Sequence, residues 1–282
     1  MLWTTFRNPR GPDPPQGGGD LKISVVTAVL NRAATVQEAL DSVAAQSWQD
    51  VEHVVQDGGS TDGTLEILRA QSGTISLESA PDGGLYDAIN QGISRCRGDV
   101  IGLMQSDDVF AGSDVLIQVA GAFRDPNVQG VYGDLDYVSV RNARVVRRWR
   151  AGPYRRALLR RGWMPPHPTL YLRREVFETM GAYDTSYRIA ADYEAMLRWL
   201  WRGSIRLAYL PQVMVRMRLG GVSNRSPRQI LRKSVEDYRA LRSNQVGGLG
   251  TLALKNTRKI GQFLPARAVA PCLTESDGRS HA

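Results

Sequence analysis

The sequence predicts an α/β fold with a mostly parallel central sheet flanked by helices and a smaller antiparallel element in its second half. Between Lys22 and Phe123, short apolar runs alternate with amphipathic segments, the pattern of parallel β-α-β units whose sheet is covered on both faces. After Gly130 the pattern changes to short runs of alternating residues, which read as hairpins.

In chain order, KISVVTAVL reads as a buried strand, Thr35 to Gln46 as a helix, VEHVVQ as a strand, and Asp62 to Ala70 as a helix capped near Ser60. A weaker strand, Thr74 to Leu77, precedes a helix from Leu85 to Arg95, in which Leu85, Ala88, Ile89 and Ile93 recur at helical spacing. DVIGLM supplies another strand and Val115 to Phe123 another helix. VYGDLDYVSV and ARVVRRW pair about a turn at Arg141-Asn142. A short strand around Thr169 to Leu172, a helix from about Asp192 to Trp201, and strands near Arg206 to Tyr209 and Val213 to Arg218 follow. Beyond Pro227 the spacing predicts a helix with Ile230, Leu231, Val235 and Leu241 on one side.

At 282 residues and 42% hydrophobic content the chain can fill a substantial core. Residues 1–20 include RGPDPPQGGGD, which cannot bury enough apolar area to offset its ordering entropy, and a mobile tail is expected there. Residues 265–282 are expected to be a second flexible tail. Uncharged stretches fall far short of the ~20 apolar residues of a membrane span, and no h-region follows Arg7 and Arg10, so neither a spanning helix nor a signal peptide is expected. Cys96 and Cys272 stand far apart without metal-ligand spacing, which argues against a disulfide framework and a zinc site and favours a cytoplasmic location. The net charge of +8 is uneven. No acid occurs between Asp136 and Glu175, where Arg141, Arg144, Arg147, Arg148, Arg150, Arg155, Arg156, Arg160 and Arg161 crowd together. Such a patch attracts phosphates, lipid head groups or nucleic acid, unless it is only a solvated face.

Two apolar runs end on acids. VVQDGGSTDGT delivers Asp57 into a Gly-rich turn, and IGLM leads to Asp107 and Asp108. Ligands of open α/β sheets gather outside the carboxyl ends of the strands, so these acids point to one cleft. The first strand-to-helix turn, Val29-Leu30-Asn31-Arg32, lacks the glycines of a dinucleotide cradle, and no GxxxxGK[ST] occurs. A nucleotide diphosphate held without such a cradle needs another partner for its charge, and Mg2+ or Mn2+ on Asp107 and Asp108 fits. The alternative is that these acids merely cap the helix near Ser113.

ISVVTAVLNR, QSWQDVEHVVQDGGSTDGT, PDGGLYDAINQGI, GDVIGLMQSDDVF, PHPTLYLRREVFETMGAYD and IAADYEAMLRW follow one another in this chain. Their order resembles that of the family 2 inverting glycosyltransferases of the GT-A (Rossmann-like) fold, within them the colanic-acid/exopolysaccharide and mycobacterial glycolipid subgroup. The resemblance runs from Lys22 to about Asn224. It implies a transferase domain over 21–226, with a nucleotide-sugar half at about 21–130 and an acceptor half at about 131–226; a helical extension over 227–264 follows. It also implies that Ala28, Asn31, Asp57, Asp82 and Asp107 contact a nucleotide-sugar donor, that Asp107 and Asp108 form a DxD-like site for a divalent metal, and that Asp192 is the catalytic base. Three positions depart from the family pattern: Gly58 stands for the second acid of Asp-Asp-Gly-Ser, Gln105 for the leading acid of Asp-Ala-Asp-Asp, and Ala191 for the Glu before the base.

Inverting transfer is a single displacement and needs one carboxylate to take the acceptor's proton, the role expected of Asp192; an N-cap for the following helix is its alternative, and the two can coexist. His167, in PPHPT, either contacts donor phosphate, metal or acceptor or belongs to a stiff turn. Gly220, Gly221 and Ser223, in GGVSN, are expected either to close over the diphosphate or to form an ordinary turn. Tyr86 and Trp163 read first as core aromatics, and His53 as packed against the sheet. The expected reaction moves a sugar from a nucleotide diphosphate to a hydroxyl of a saccharide or lipid-linked acceptor, in cell-surface polysaccharide or glycolipid biosynthesis. The Arg-rich interval with Lys255, Arg258 and Lys259 would place the protein against an anionic membrane. The rivals are a nucleotidyltransferase and a basic nucleic-acid-binding module. No nucleic-acid-reading motif is present, so nucleic acid is not an expected partner.

Overall fold

A computed structural model describes residues 21–140, 142–219 and 227–261. The expected tails, Arg141, and Gly220, Gly221 and Ser223 lie outside the described residues.

The chain opens with β1 (Ile23–Val29), α1 (Val36–Ala44), β2 (Val51–Asp57), α2 (Thr64–Ala70), β3 (Ser76–Ser79), α3 (Leu85–Arg95) and β4 (Val100–Leu103). These four strands are parallel, in the order β3-β2-β1-β4. All seven residues of β1 are buried because helices cover both faces of the sheet. Val26 and Ala28 pack with Tyr86, Ala88, Ile89 and Ile93 of α3, whereas Ile23 and Val25 pack with Ala39 and Val43 of α1. Each fully buried Val, Leu or Ile here contributes about 1.5–3 kcal/mol. Gly92 lets α3 settle close to β1, since a Cβ there would lie 2.5 Å from Val26 Cγ1.

Then come β5 (Val109–Phe110), α4 (Val115–Ala122), β6 (Gly130–Val138), β7 (Val145–Trp149), β8 (Tyr171–Arg173), α5 (Arg174–Met180), α6 (Ala191–Leu197), β9 (Leu207–Arg218), α7 (Pro227–Ser243) and α8 (Leu249–Gly261). Among the described residues nine strands form one mixed sheet, β3-β2-β1-β4-β8-β6-β9-β5, with β7 added on β6 as the expected hairpin. β8 runs antiparallel to both β4 and β6. A side chain at Gly102 would collide with the Tyr171 ring, so that glycine lets the ring lie against β4. Because β8 runs opposite to β4, the His167–Thr169 3-10 turn that precedes it comes to the edge where β1, β2 and β4 end.

Several expectations need correction. The third strand lies at Ser76–Ser79 rather than Thr74 to Leu77. The second helix starts at Thr64, with Asp62 accepting from the Thr64 N–H; Gly63, at φ 94°, makes the left-handed entry, and Ser60 caps nothing there. The two strands expected near Arg206 to Tyr209 and Val213 to Arg218 are one strand, β9, whose register against β6 slips between Gly133 and Leu135. Pro211, which has no N–H, causes the break in pattern without ending the strand. On α7 the expected inward side faces out: Ile230, Leu231 and Val235 are exposed. Of the expected four only Leu241 is buried, and it shares the inner face with Glu236, Asp237, Ala240 and Asn244. His53 is buried beside Thr27 as expected, and burial pushes its pKa down to about 4.

Candidate active site

On the β1–β2 side, the loops after the strands are stapled to each other. The Asn31 N–H donates to Ser60 Oγ at 2.8 Å, and Asn31 Oδ1 accepts the Thr61 N–H at 2.9 Å. Ala28, the last residue but one of β1, is buried in the core shared with α3. Asp57 closes β2 as a fully buried carboxylate that accepts from the Gly59 and Ser60 N–H groups and from the hydroxyls of Ser60 and Ser79. It therefore shapes the Gly-rich turn. Asp82 lies directly against that turn, because a side chain at Gly58 would collide with its carboxylate. The departure at position 58 thus makes room for Asp82, and an aspartate there would meet both its atoms and its charge.

Asp107 and Asp108 follow β4. The Ser106 carbonyl just before them is tied to α1 by the Thr35 hydroxyl at 2.9 Å. Asp108 is buried, accepts the Arg218 N–H at 3.2 Å through Oδ1, and has no hydrogen-bond partner at Oδ2. Burial, with Asp107 next to it, pushes its carboxyl well above the ordinary range. Neither acid caps α4, whose N-cap is Asp114. Among the described residues no group of three or more His, Cys, Asp or Glu side chains can hold a metal by itself. An orphaned buried oxygen beside a second carboxylate nonetheless suits a cation that takes one or two protein carboxylates and fills its shell with phosphate and water oxygens.

Asp192 sits in the first turn of α6, half-buried, and does not cap the helix. Its Oδ1 accepts the Tyr193 N–H at 2.7 Å and the Tyr86 hydroxyl at 3.4 Å; that hydroxyl also reaches the Ile189 carbonyl at 2.9 Å. Tyr86 is thus both a core aromatic, as expected, and a partner of the candidate base. Burial pushes the Asp192 carboxyl up, but His167, Lys233, Lys255 and the Tyr193 N–H outweigh it and hold it below the usual aspartate range. His167 Nε2 meets the Tyr183 hydroxyl at 2.8 Å. Burial pushes the imidazole down against the pull of Asp192, so it is neutral at pH 7. Asn90 of α3 grips the Tyr183 backbone at both its N–H and its carbonyl.

The structure thus gathers Asp57 with Asp82, and Asp192 with His167, along one edge of the sheet, with Asp107 and Asp108 at the end of β4 on that same edge. It also corrects the basic surface. Lys255 is buried, 2.7 Å from Asp237, and is no membrane cation. Arg150 pairs with Asp134 and Asp136, while Arg156 and Arg160 lie over the Trp201 ring. Sequence reasoning missed Tyr183, Asn90, Lys233 and Glu236. The available signal for Glu236 was the helical spacing of Glu236, Asp237, Ala240, Leu241 and Asn244, which the more apolar residues on the other face of α7 outshone.

A family model described as glycosyl transferase family 2 matches residues 24–190. The PGL/p-HBAD biosynthesis glycosyltransferase of Mycobacterium bovis (strain BCG / Pasteur 1173P2) is 32% identical over 208 residues, 71% of this chain and 78% of that protein. Among solved structures, S. aureus TarS 1-349 in complex with UDP superposes with a TM-score of 0.59 at 19% identity, covering 84% of this chain and 69% of that one. The mannosyltransferase PcManGT from Pyrobaculum calidifontis, in complex with GDP-Man and Mn2+, covers 90% of this chain and 83% of its own at 18% identity, and the same score is 0.58. At these identities the structural likeness establishes the GT-A fold.

Proposed function

The chain belongs to glycosyl transferase family 2, and from that premise we propose that this glycosyltransferase inverts configuration while moving a sugar from a nucleotide diphosphate to a hydroxyl of a saccharide or lipid-linked acceptor. The observation that carries this reading is Asp192, a carboxylate kept ionised, hydrogen-bonded by Tyr86 and set beside a neutral His167 at the edge where the strand-end acids emerge. Asp192 removes the proton of the acceptor hydroxyl, whose oxygen attacks the anomeric carbon. The bond from that carbon to the diphosphate oxygen breaks on the opposite face, and its electron pair leaves with the nucleotide. No second, nucleophilic carboxylate is needed.

Ala28, Asn31, Asp57 and Asp82 form the donor side, with Asp57 acting chiefly by fixing the turn that receives the nucleoside. Asp107 and Asp108 would hold a divalent ion, which supplies positive charge to the departing diphosphate when bound. His167 is placed to orient the acceptor, and Gly221 and Ser223 are proposed to contact the diphosphate. The name of the mycobacterial relative supports a glycolipid acceptor, and the ligands in the titles of the two solved structures support a nucleotide-sugar donor. No helix among the described residues is long and apolar enough to cross a membrane. Contact with an anionic inner membrane face would rest on exposed Arg144, Arg148, Arg155 and Arg161.

Thermal shift with nucleoside diphosphates, triphosphates and sugar nucleotides, with and without Mn2+, tests the donor class. The reading expects sugar nucleotides with Mn2+ to stabilise most and the product anomer to be inverted. Preferential stabilisation by triphosphates would favour nucleotidyl transfer, and a salt-sensitive DNA shift without sugar-nucleotide binding would favour the nucleic-acid module.

A further inference from the structure

We propose that Glu236 is a positioning residue for sugar transfer, clamping from α7 the backbone that presents Asp192, so that the α7–α8 hairpin is a working part of the site. The proposal rests on Asp192 being the base. The hairpin lies wholly beyond the residues that match the family.

The peptide leading into α6 is held from both sides. One oxygen of Glu236, Oε2, accepts the Ile189 N–H at 2.8 Å and the Ala190 N–H at 2.9 Å. From the opposite side the Tyr86 hydroxyl donates to the Ile189 carbonyl and reaches on to Asp192. Hydrogen bonds from N–H groups to a buried carboxylate are about twice as strong as neutral ones. Glu236 is 8% exposed, and its other oxygen faces Arg232 at 3.3 Å, so the side chain is itself fixed. α7 also grips the chain before and after the base. Tyr187 carries Arg239 over its ring and meets the Ser243 hydroxyl, while Asn244 donates to Glu194 in α6.

α8 locks α7 in place. Lys255 pairs with Asp237, both buried, and its Nζ stands 3.1 Å from the centroid of the Tyr193 ring, next to Asp192 in sequence. Gly162, at φ 73°, permits the close approach: a Cβ there would lie 2.5 Å from Lys255 Cα. α6 continues past Leu197 as a π-helical segment to Arg202, and even this helical run of 12 residues is marginal without tertiary contacts to hold its first turn. The groups facing Asp192 are Tyr86 on α3, His167 before β8, Tyr183, the Tyr193 N–H, Lys233 on α7 and Lys255 on α8. With the imidazole neutral at pH 7, the two lysines are the cations of this set, and both belong to the hairpin.

The test compares E236A, E236Q and D192N with the wild type, using UDP-GlcNAc and GDP-mannose as probes, release of nucleoside diphosphate as turnover, and calorimetric donor titration. E236A should lower kcat by about 10- to 100-fold, the effect of a roughly 1 Å misplacement, with donor affinity unchanged. E236Q keeps an acceptor oxygen for the two N–H groups and should restore kcat to within about fivefold of wild type, the factor that corresponds to about 1 kcal/mol for a neutral acceptor in place of a charged one. Unchanged kcat in E236A, or kcat and donor affinity falling together in E236A and E236Q alike, would overturn the clamp. Wild-type turnover in D192N would remove the base assignment, and the clamp with it; an inactive D192N beside a normal E236A would remove the clamp alone.

Discussion

The two sides of the candidate site are built differently. On the proposed donor side the acids that follow β2 and β3 are organised mainly by their neighbours in sequence, Asp57 by Gly59 and Ser60 with Ser79 added from β3, Asp82 by the Gly84 N–H, and Asp62 by Thr64, whereas Asp108 accepts from the distant Arg218 N–H. On the proposed acceptor side the candidate base takes one local N–H, from Tyr193, and is otherwise surrounded by distant groups, Tyr86 in α3, His167 before β8 and the lysines of the C-terminal hairpin. Local organisation makes a turn that folds with its strand and can be read as a motif. Distant organisation ties one carboxylate to the docking of several elements, so its function is sensitive to packing some way from the reaction.

The largest expected effect falls on the distant side. D192N should lower turnover by about 10²- to 10⁴-fold while leaving the folded state intact, measured by initial rates and circular dichroism. Since the Asp192 carboxyl lies below its ordinary value of about 3.9, activity lost by protonating it should disappear only below that pH.

D108N should abolish the stabilisation of the protein by Mn2+ and lower turnover, yet raise the melting temperature without metal. Its folded-state pKa is raised, so the ionised carboxylate costs stability at pH above the unfolded-state value, and the amide removes that cost. In the wild type, Mn2+ affinity should accordingly strengthen as pH rises through the raised pKa, readable by titration at several pH values. An unchanged Mn2+ response in D108N would detach the metal from this strand end.

G102A places a methyl group in the Tyr171 ring at the β4–β8 seam joining the two sides, and should destabilise by about 1–3 kcal/mol in denaturant unfolding. Y86F should be the mildest. It removes one hydroxyl shared between the Ile189 carbonyl and Asp192, worth about 0.5–1.5 kcal/mol, and kcat should fall by up to about tenfold with donor affinity unchanged. A larger effect of Y86F on donor affinity than on kcat would blur the division between the sides.

The same contrast explains what the sequence discloses. β1, β2 and β4 are largely runs of buried Val, Ile and Leu, and β2 and β4 lead into acids, so both the strands and Asp57, Asp107 and Asp108 are legible from spacing. α3 is legible to its ends because Tyr86, Ala88, Ile89 and Ile93 face one core. β9 misleads because Pro211 interrupts its pattern while the ladder continues on both sides. α7 misleads because its buried stripe holds Glu236, Asp237 and Asn244, which pair with charges and N–H groups brought by other elements. A buried polar residue is recognisable only with its partner in view, and here the partners lie some 18 to 50 residues away.

The central claim is that acids on the two sides do separate work, donor capture by Asp107 and Asp108 and proton removal by Asp192. Calorimetric titration of UDP-GlcNAc and GDP-mannose with Mn2+ into wild type, D108N and D192N addresses it most directly. The account predicts wild-type donor affinity in D192N and weakened or lost binding in D108N. Donor binding lost in D192N but retained in D108N would contradict it.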